Sequence, residues 1–504
     1  MNIQKFTITS IAFLLGFASI TAQTISSTII DKKTNQPIPY ATIEYAKNQG
    51  VITNEEGKFS FTLDKKITKT DSIYVSSMGY EKVIIPLGNA TDSIIYIEPK
   101  AIELSGVFIT NKNLTIDEIM DNVKERLDQN YNKDLSHKKL FLRESDFTDI
   151  NKINVKLKKS TIEEFDREFI DSVISIIPRK SSYYTESLCD FYGNFEKQKL
   201  GIVKGAELYD KSNDGSMNAL SDRLENILKK NVKQNSYLKI KSGWLPGAKI
   251  QVDSIIQNNA EAAEVKEELE DKDKSQENHF HKYRKSTIEG LLSNIFFQED
   301  SKLNFIDKSG RYKFEVTDYT TIDDSSVYII NFEPKRGADF KGTLFINTED
   351  FAIMRVDYEN VKNLRNFSLL GISFYDTLYK GKTIFAKGSD GKYNLKYIEK
   401  TRGNVFGIDR PLKIVEKNKY VKGKRKQNEL SVALDIGAGE ISKYELVVFD
   451  SQSITEGEYE TSKENEVIQP QYLSKYDPEF WKGHNIIEPN TAIKEFTVLE
   501  GEES

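Results

Sequence analysis

Cysteine is nearly absent. Cys189 stands alone among 504 residues, so no disulfide framework within the chain holds the fold together. It sits in Ser187-Leu188-Cys189-Asp190-Phe191 with no histidine near it in sequence, and reads as a small buried hydrophobe, not a nucleophile. Histidine is almost as scarce. His137, His279, His281 and His484 form no HxxE or HExxH arrangement, so no metal site is expected. The i,i+2 spacing of His279-Phe280-His281 puts both rings on one face of a strand, where two histidines are too few for a metal site and read as surface residues. Two Trp and 5 Met stand against 28 Phe and 25 Tyr, a bias that favours pleated sheets. There is no P-loop, no GxGxxG after a strand, no GxSxG elbow and no EF-hand loop, so no cofactor and no catalytic residue is assigned. A net charge of −6 lacks the basic footprint of a nucleic-acid binder.

Long apolar runs are missing beyond the first 22 residues, where none approaches the roughly 18 residues of a membrane helix. The exception is N-terminal: Lys5, the mostly apolar run Ile8 to Ile20, then Thr21-Ala22-Gln23. This is the layout of a secretory signal peptide, residues 1–22, cleaved after Ala22. Removing it takes away one positive charge, Lys5, and leaves −7. No Cys follows the run, so a lipidated N-terminus is not expected. The chain closes on Leu-Glu-Gly-Glu-Glu-Ser, unlike the aromatic-ended last strand typical of an outer-membrane barrel. A soluble exported protein is expected, with no transmembrane segment after signal removal.

What the chain does contain is most regular from Arg311 to Tyr358. Tyr312, Phe314 and Val316 alternate with polar residues, and Tyr328, Ile330 and Phe332 share the next face. Phe340, Gly342, Leu344 and Ile346 follow, then Ala352, Met354, Val356 and Tyr358. Four strands joined by short turns predict an antiparallel meander, read here as the middle of one sheet running from about Lys139 to Phe449. Its apolar face must be covered. One candidate cover is a helix opened by the capping box Thr115-Ile116-Asp117-Glu118, with Ile116, Ile119, Met120, Val123 and Leu127 on one side. A second runs from Leu220 to Val232.

Other strands are expected at Lys139–Phe147 and Lys152–Lys158 as a hairpin, then at Tyr183–Tyr192. Further strands are expected at Ser373–Phe385, Tyr393–Lys400, Leu412–Val421, Leu430–Leu434 and Tyr444–Phe449. Residues 257–277 are rich in Glu and Asp and read as a solvated insertion. Lys422, Lys424, Arg425 and Lys426 form a basic hairpin tip, a candidate contact for anionic lipid head groups or glycan phosphates or a solvated turn that guards the strands. Residues 456–469 read as a linker. The arm 470–498 carries Phe480 and Trp481, which serve either as partner anchors or, by preference, in an arm folded back on the sheet. Asp-Ser/Thr-aliphatic triplets at Asp71, Asp92, Asp171, Asp253 and Asp376 read as turn-to-strand punctuation, or as an O-glycosylation signal.

Residues 23–109 show short strands between turn clusters, the spacing of a small sandwich. Asp31, then Pro37-Ile38-Pro39-Tyr40-Ala41-Thr42-Ile43, then Thr53-Asn54-Glu55-Glu56-Gly57-Lys58-Phe59, then Val75-Ser76-Ser77-Met78-Gly79-Tyr80 resembles the carboxypeptidase regulatory-like domain. It departs from that pattern at Ser26-Ser27, where the family often has Gly. The resemblance implies a transthyretin-like β-sandwich, a non-catalytic companion role and a Gram-negative envelope setting. The pairing of Ile329–Pro334 with Phe340–Ile346 resembles, more loosely, periplasmic lipoprotein-carrier folds. That likeness implies a curved antiparallel sheet wrapped around helices, in a fold that holds acyl chains.

The expected class is mainly β: the sandwich, then residues 115–455 as a large antiparallel sheet with a few packed helices. Three functions stay open. The first is a non-enzymatic exported envelope protein in the periplasm or at the outer-membrane periphery, whose partner is another envelope protein. The second is a carrier of lipid or another apolar ligand, and the third a hydrolase of envelope glycans or peptides.

Overall fold

A computed structural model describes residues 23–497, apart from 47–48, 64–70, 88–92, 101–113, 213, 234, 244–247, 252–278, 323–324, 336, 421–422 and 424. The signal peptide, the acidic stretch 257–277, Lys422 and Lys424 therefore lie outside the described residues. The chain divides into two compact units: residues 1–99 with Asp477–Glu488, and residues 100–476 with 489–504.

The first unit is a β-sandwich. Its strands are β1 (Gln23–Asp31), β2 (Thr42–Ala46), β3 (Gln49–Ile52), β4 (Lys58–Leu63), β5 (Ser72–Ser76), β6 (Val83–Pro86) and β7 (Ser93–Ile97). They form two sheets, β4-β1-β7 and β3-β2-β5-β6. The residues that carried the resemblance have structural work here. Asp31 accepts from the backbone N–H of Lys33 and Thr34 at 2.7 and 2.9 Å and from the Tyr80 hydroxyl at 2.9 Å, tying the first turn to the fourth block. The Thr34 amide and the other donors hold the Asp31 carboxyl below its usual range. Burial and the neighbouring Asp31 push the Tyr80 phenol up to about 12. Asn54 accepts from the Glu56 and Lys58 amides at 2.9 Å each, and Gly57 meets the turn at φ 70°, a conformation that costs glycine little.

Asp477–Glu488 completes this unit. Asn485 accepts from the Thr62 amide at 2.8 Å and donates to the Tyr45 hydroxyl at 2.8 Å. Trp481, Ile486 and Ile487 are buried. The aromatic arm thus divides: Gln471–Leu473 joins the large sheet, whereas the Trp481 segment belongs to the sandwich.

The second unit is built on a 14-stranded sheet. In chain order its strands are β8 (Ser136–Ser160), β9 (Lys180–Gly193), β10 (Gln198–Tyr209), β11 (Ser236–Lys241), β12 (Ala248–Gln251), β13 (Tyr312–Ile322) and β14 (Ser325–Pro334). They continue with β15 (Phe340–Asn347), β16 (Ile353–Asn360), β17 (Arg365–Leu369), β18 (Ile372–Lys387), β19 (Tyr393–Asn418), β20 (Lys426–Ser453) and β21 (Gln471–Leu473). The main path is β13-β14-β15-β16-β18-β19-β20-β8-β9-β10-β21. The predicted meander is present as β13 to β16, but at one end of the sheet. The centre belongs to β19, β20 and β8, which are far longer than their sequence pattern indicates.

Three expected breaks prove to be continuous strand. The hairpin 139–158 is one 25-residue strand, β8, carrying an extra residue opposite Gly437–Gly439; a bulge of this kind bends a strand without ending it. The pairs 393–400 with 412–421 and 430–434 with 444–449 are likewise single strands, β19 and β20. Their glycine-rich midsections face one another, Gly407 opposite Gly437 and Val405 opposite Gly439. A Cβ at Gly407 would lie 2.5 Å from the Ser373 hydroxyl oxygen, so glycine marks close approach here, not a turn.

The capped helix α1 (Ile116–Glu125) forms as expected. The Thr115 amide donates to the Glu118 carboxylate at 2.7 Å and the Glu118 amide to Thr115 Oγ1 at 3.3 Å. Ile119, Met120 and Val123 enter the main core. Two further helices, α2 (Arg167–Ile176) and α3 (Asp214–Asn231), lie elsewhere on the sheet, and α4 spans residues 279–292. Helix α4 corrects the strand expected at His279–His281. His281, Arg284, Ile288, Leu291 and Leu292 are buried at helical spacing, a period masked by polar residues at two core positions. His279 is exposed, and His281 Nε2 lies 2.8 Å from the Leu200 carbonyl. Cys189 is buried in the main core, as expected.

Candidate functional site

One face of β19, β20 and β8 passes through three zones. In the proximal zone Ile398, Leu446 and Leu142 lie in one row and join the main core beneath α1 and α4. Tyr131 sits there with rings of Phe296, Phe297 and Phe385 centred 4.7–5.7 Å away, and its hydroxyl donates to the Ile353 carbonyl at 2.9 Å. Farther along this face a space of about 20 Å³ lies beside Leu446 and Val448, with Leu140, Phe191, Leu292 and Leu395 also lining it.

The next zone is polar. Lys400, Tyr444 and Glu144 share a row, as do Arg402, Ser442 and Asp146. Arg284 of α4 pairs with Glu144 at 2.7 Å, both side chains under 5% exposed, and Tyr283 donates to Glu144 at 3.2 Å. Asp146, Tyr183, Glu207, Tyr283 and Arg284 border a cleft of about 400 Å³. Burial, with the charges of Glu144 and Glu440, pushes the Asp146 carboxyl up to about 6 against opposition from Ser442 and Arg284. Burial also brings Lys400 down to about 8, helped by Lys302 and Arg402.

The distal zone is apolar again. Ile408, Ile436 and Ile153 form one row, and Leu412, Val432 and Leu157 another. Their covers are α2 and α3. Asp166 caps α2 by accepting from the Phe169 amide at 2.7 Å. Phe165, Phe169, Ile227 and Val232 form a small separate core. At its end Glu416 is 1% exposed and accepts from the Lys233 amide at 2.9 Å, Ser236 Oγ at 2.8 Å and Asn428 Nδ2 at 2.8 Å. Those bonds pin the C-terminal end of α3 to β19 and β20. The two helices do not fill the face. Between them and the strands lies a cavity of about 490 Å³, lined almost wholly by hydrocarbon. From the strands come Ile153, Val155, Ile414, Leu430, Val432 and Ile436; Phe169, Val173, Leu224 and Leu228 come from the helices. The same face extends to an exposed edge: Leu369, Ile372, Ile408, Ile436 and Ile153 occupy one register row, and Leu369 is 56% exposed.

The residues singled out in the sequence do not converge on this cavity. Arg425 and Lys426 are exposed beyond it, and Lys426 pairs with Glu429. Phe480 is half-buried and Trp481 is 3% exposed within the sandwich. The sequence reading missed α2 entirely, although Phe169, Ile170, Val173, Ile174 and Ile177 follow the Asp166 cap at helical spacing. Ser172, read as turn-to-strand punctuation or a glycan acceptor, lies inside α2 and donates to the Phe169 carbonyl at 2.7 Å. Among the described residues no cluster of three or more His, Cys, Asp or Glu is placed to hold a metal ion. No helix among them is long and apolar enough to cross a membrane.

Comparison with known proteins agrees with the sandwich. Residues 25–109 match the family model described as CarboxypepD_reg-like domain, and the N-terminal module is a carboxypeptidase regulatory-like domain, a non-catalytic companion type. No curated protein matches the chain. Among solved structures, the chain is similar to a domain from Vibrio parahaemolyticus named as an outer membrane lipoprotein-sorting protein. The identity is 8%, with 68% of this chain and 95% of that chain covered and a TM-score of 0.19.

Proposed function

We propose that this chain is a non-enzymatic, exported binding module of the cell envelope, in which the large-sheet unit holds an apolar ligand, such as an acyl chain, in its distal cavity. The observation that carries this reading is the cavity itself: about 490 Å³ with a nearly pure hydrocarbon lining. That size falls inside the roughly 300–1,000 Å³ of small-molecule sites. Each methylene moved from water into such a site gains about 0.8 kcal/mol, so a long chain repays its ordering cost. The leader at residues 1–22 and the regulatory-like domain support the envelope setting. The test is to purify the protein from its own envelope without detergent, extract it with solvent and identify released lipid by mass spectrometry. Stoichiometric acyl lipid is expected. Empty protein that also fails to take up a fluorescent fatty acid would overturn the reading.

A hydrolase remains a second reading because Asp146, Glu207 and His279 border the polar cleft and Asp146 holds its proton up to about pH 6, as a general acid requires. Turnover of an envelope glycan or peptide that is lost in Asp146→Asn would establish it. No turnover across a panel of both substrate types would remove it.

A further inference from the structure

On the distal apolar face, Arg410 is a buried cation without a counter-ion among the described residues. Arg410 is on β19 between Ile408 and Leu412, and its register partners are Leu434 on β20 and Val155 on β8. Val155 lines the cavity, as do Ile436 and Val432 on either side of Leu434. Arg410 is 6% exposed. Its Nε donates to Ser242 Oγ at 2.8 Å and its Nη2 to the Ser242 carbonyl at 2.7 Å, just beyond β11, whose Leu238 also lines the cavity. Nη1 is buried and has no acceptor.

Among the described residues, the other two buried arginines are provided for differently. Arg143 has Glu186 at 2.6 Å, and Arg284 has Glu144 at 2.7 Å. Arg410 pairs with no carboxylate among the described residues. A buried charge left in that state is costly, and a guanidinium with a free N–H is suited to a carboxylate or phosphate. Arg410 stands next to the lining, and the two carboxylates within the lining, Glu416 and Glu429, do not compete: Glu429 pairs with Lys413 and Lys426. Glu416 already takes three donors and stands six residues along β19, about 20 Å at roughly 3.4 Å per residue.

We infer that the cavity takes an anionic amphiphile, with its hydrocarbon tail between the strands and α2 and α3 and its acidic head group on Arg410. This inference rests on the apolar-ligand reading and adds the charge of the ligand.

The experiment titrates the delipidated mature chain with hexadecanoic acid, hexadecyl phosphate and hexadecanol, each competing against a fluorescent acyl probe. The acid and the phosphate are expected to bind at least about tenfold more tightly than the alcohol. Arg410→Gln brings both down to the alcohol's affinity and leaves the alcohol unchanged, whereas Arg410→Lys keeps part of the preference. Equal binding of all three by the unsubstituted chain overturns the inference and leaves the apolar-ligand reading standing. An equal loss for all three in Arg410→Gln also overturns it, because Arg410 then acts only on the fold. Failure of all three to bind the unsubstituted chain overturns both. The preference of the unsubstituted chain is decisive even if Arg410→Gln does not fold.

Discussion

Strands β19 and β20 run through two surroundings that treat the same apolar face in opposite ways. Proximally, α1, α4 and interlocked aromatic rings pack over it as part of the main core, and the space beside Leu446 and Val448 is about 20 Å³. Distally, α2 and α3 span it and leave about 490 Å³. Both stretches alternate in the same manner, Ile398 and Leu446 at one end and Ile414 and Leu430 at the other. The difference lies in what covers them. An apolar strand face is a demand for burial, and only its cover determines whether the result is a core or a ligand site.

The comparison breaks most easily by truncation. Leu446→Ala in the packed zone is expected to cost about 2–5 kcal/mol, the transfer term plus a new cavity. Leu430→Ala beside the open cavity is expected to cost about 1 kcal/mol or less, because its surroundings are already unfilled. Urea unfolding followed by circular dichroism measures both, and equal costs would erase the distinction between the zones.

Enlargement probes the reverse. Val448→Phe is expected to destabilise by about 1–3 kcal/mol through overpacking. Val432→Phe is expected to leave stability nearly unchanged while displacing a bound acyl probe. A Val432→Phe protein that still binds the probe at full affinity would show that ligand does not use the cavity.

Caps give a smaller effect. Asp166→Ala removes the N-cap of α2 and is expected to cost about 0.5–2 kcal/mol, read as faster hydrogen exchange in α2 with α1 unaffected. Faster exchange in both helices would mean that the two covers open as one unit.

The smallest change is expected at Asp146, which is partly solvated and therefore screened. Its carboxyl titrates near 6 in the folded protein, against 3.8 as the ordinary value. The folded state thus binds a proton that the unfolded state has already released, and stability falls as pH rises through about 6. Asp146→Asn is accordingly expected to be more stable than the parent at pH 7.5, with the advantage gone by about pH 4. An advantage of equal size at both pH values would assign the effect to shape, not to charge.

Much of this fold is legible in the residues. The Thr115 capping box, the β13–β16 meander and the sandwich turns at Asp31, Asn54 and Gly57 are local devices, each satisfied within a few neighbours. The long strands were misread because Gly403, Gly407, Gly437 and Gly439 look like turn residues until their partners are known. Helix α4 was hidden because His281 and Arg284 occupy core positions. The cavity was not legible at all. Its lining comes from six elements far apart in sequence, and the space between them belongs to no residue.

The class of the chain follows from its residues: mainly β, with a regulatory-like sandwich and strands whose apolar side needs a cover. Those are consequences of local periodicity, capping and turn chemistry. Tertiary structure decided where the covers fell, that Trp481 packs in the sandwich, and that Arg410 is buried with no carboxylate partner among the described residues, beside an unfilled hydrocarbon face. The physical reason is that burial and charge pairing depend on which side chains meet across the fold, and spacing along the chain does not specify that.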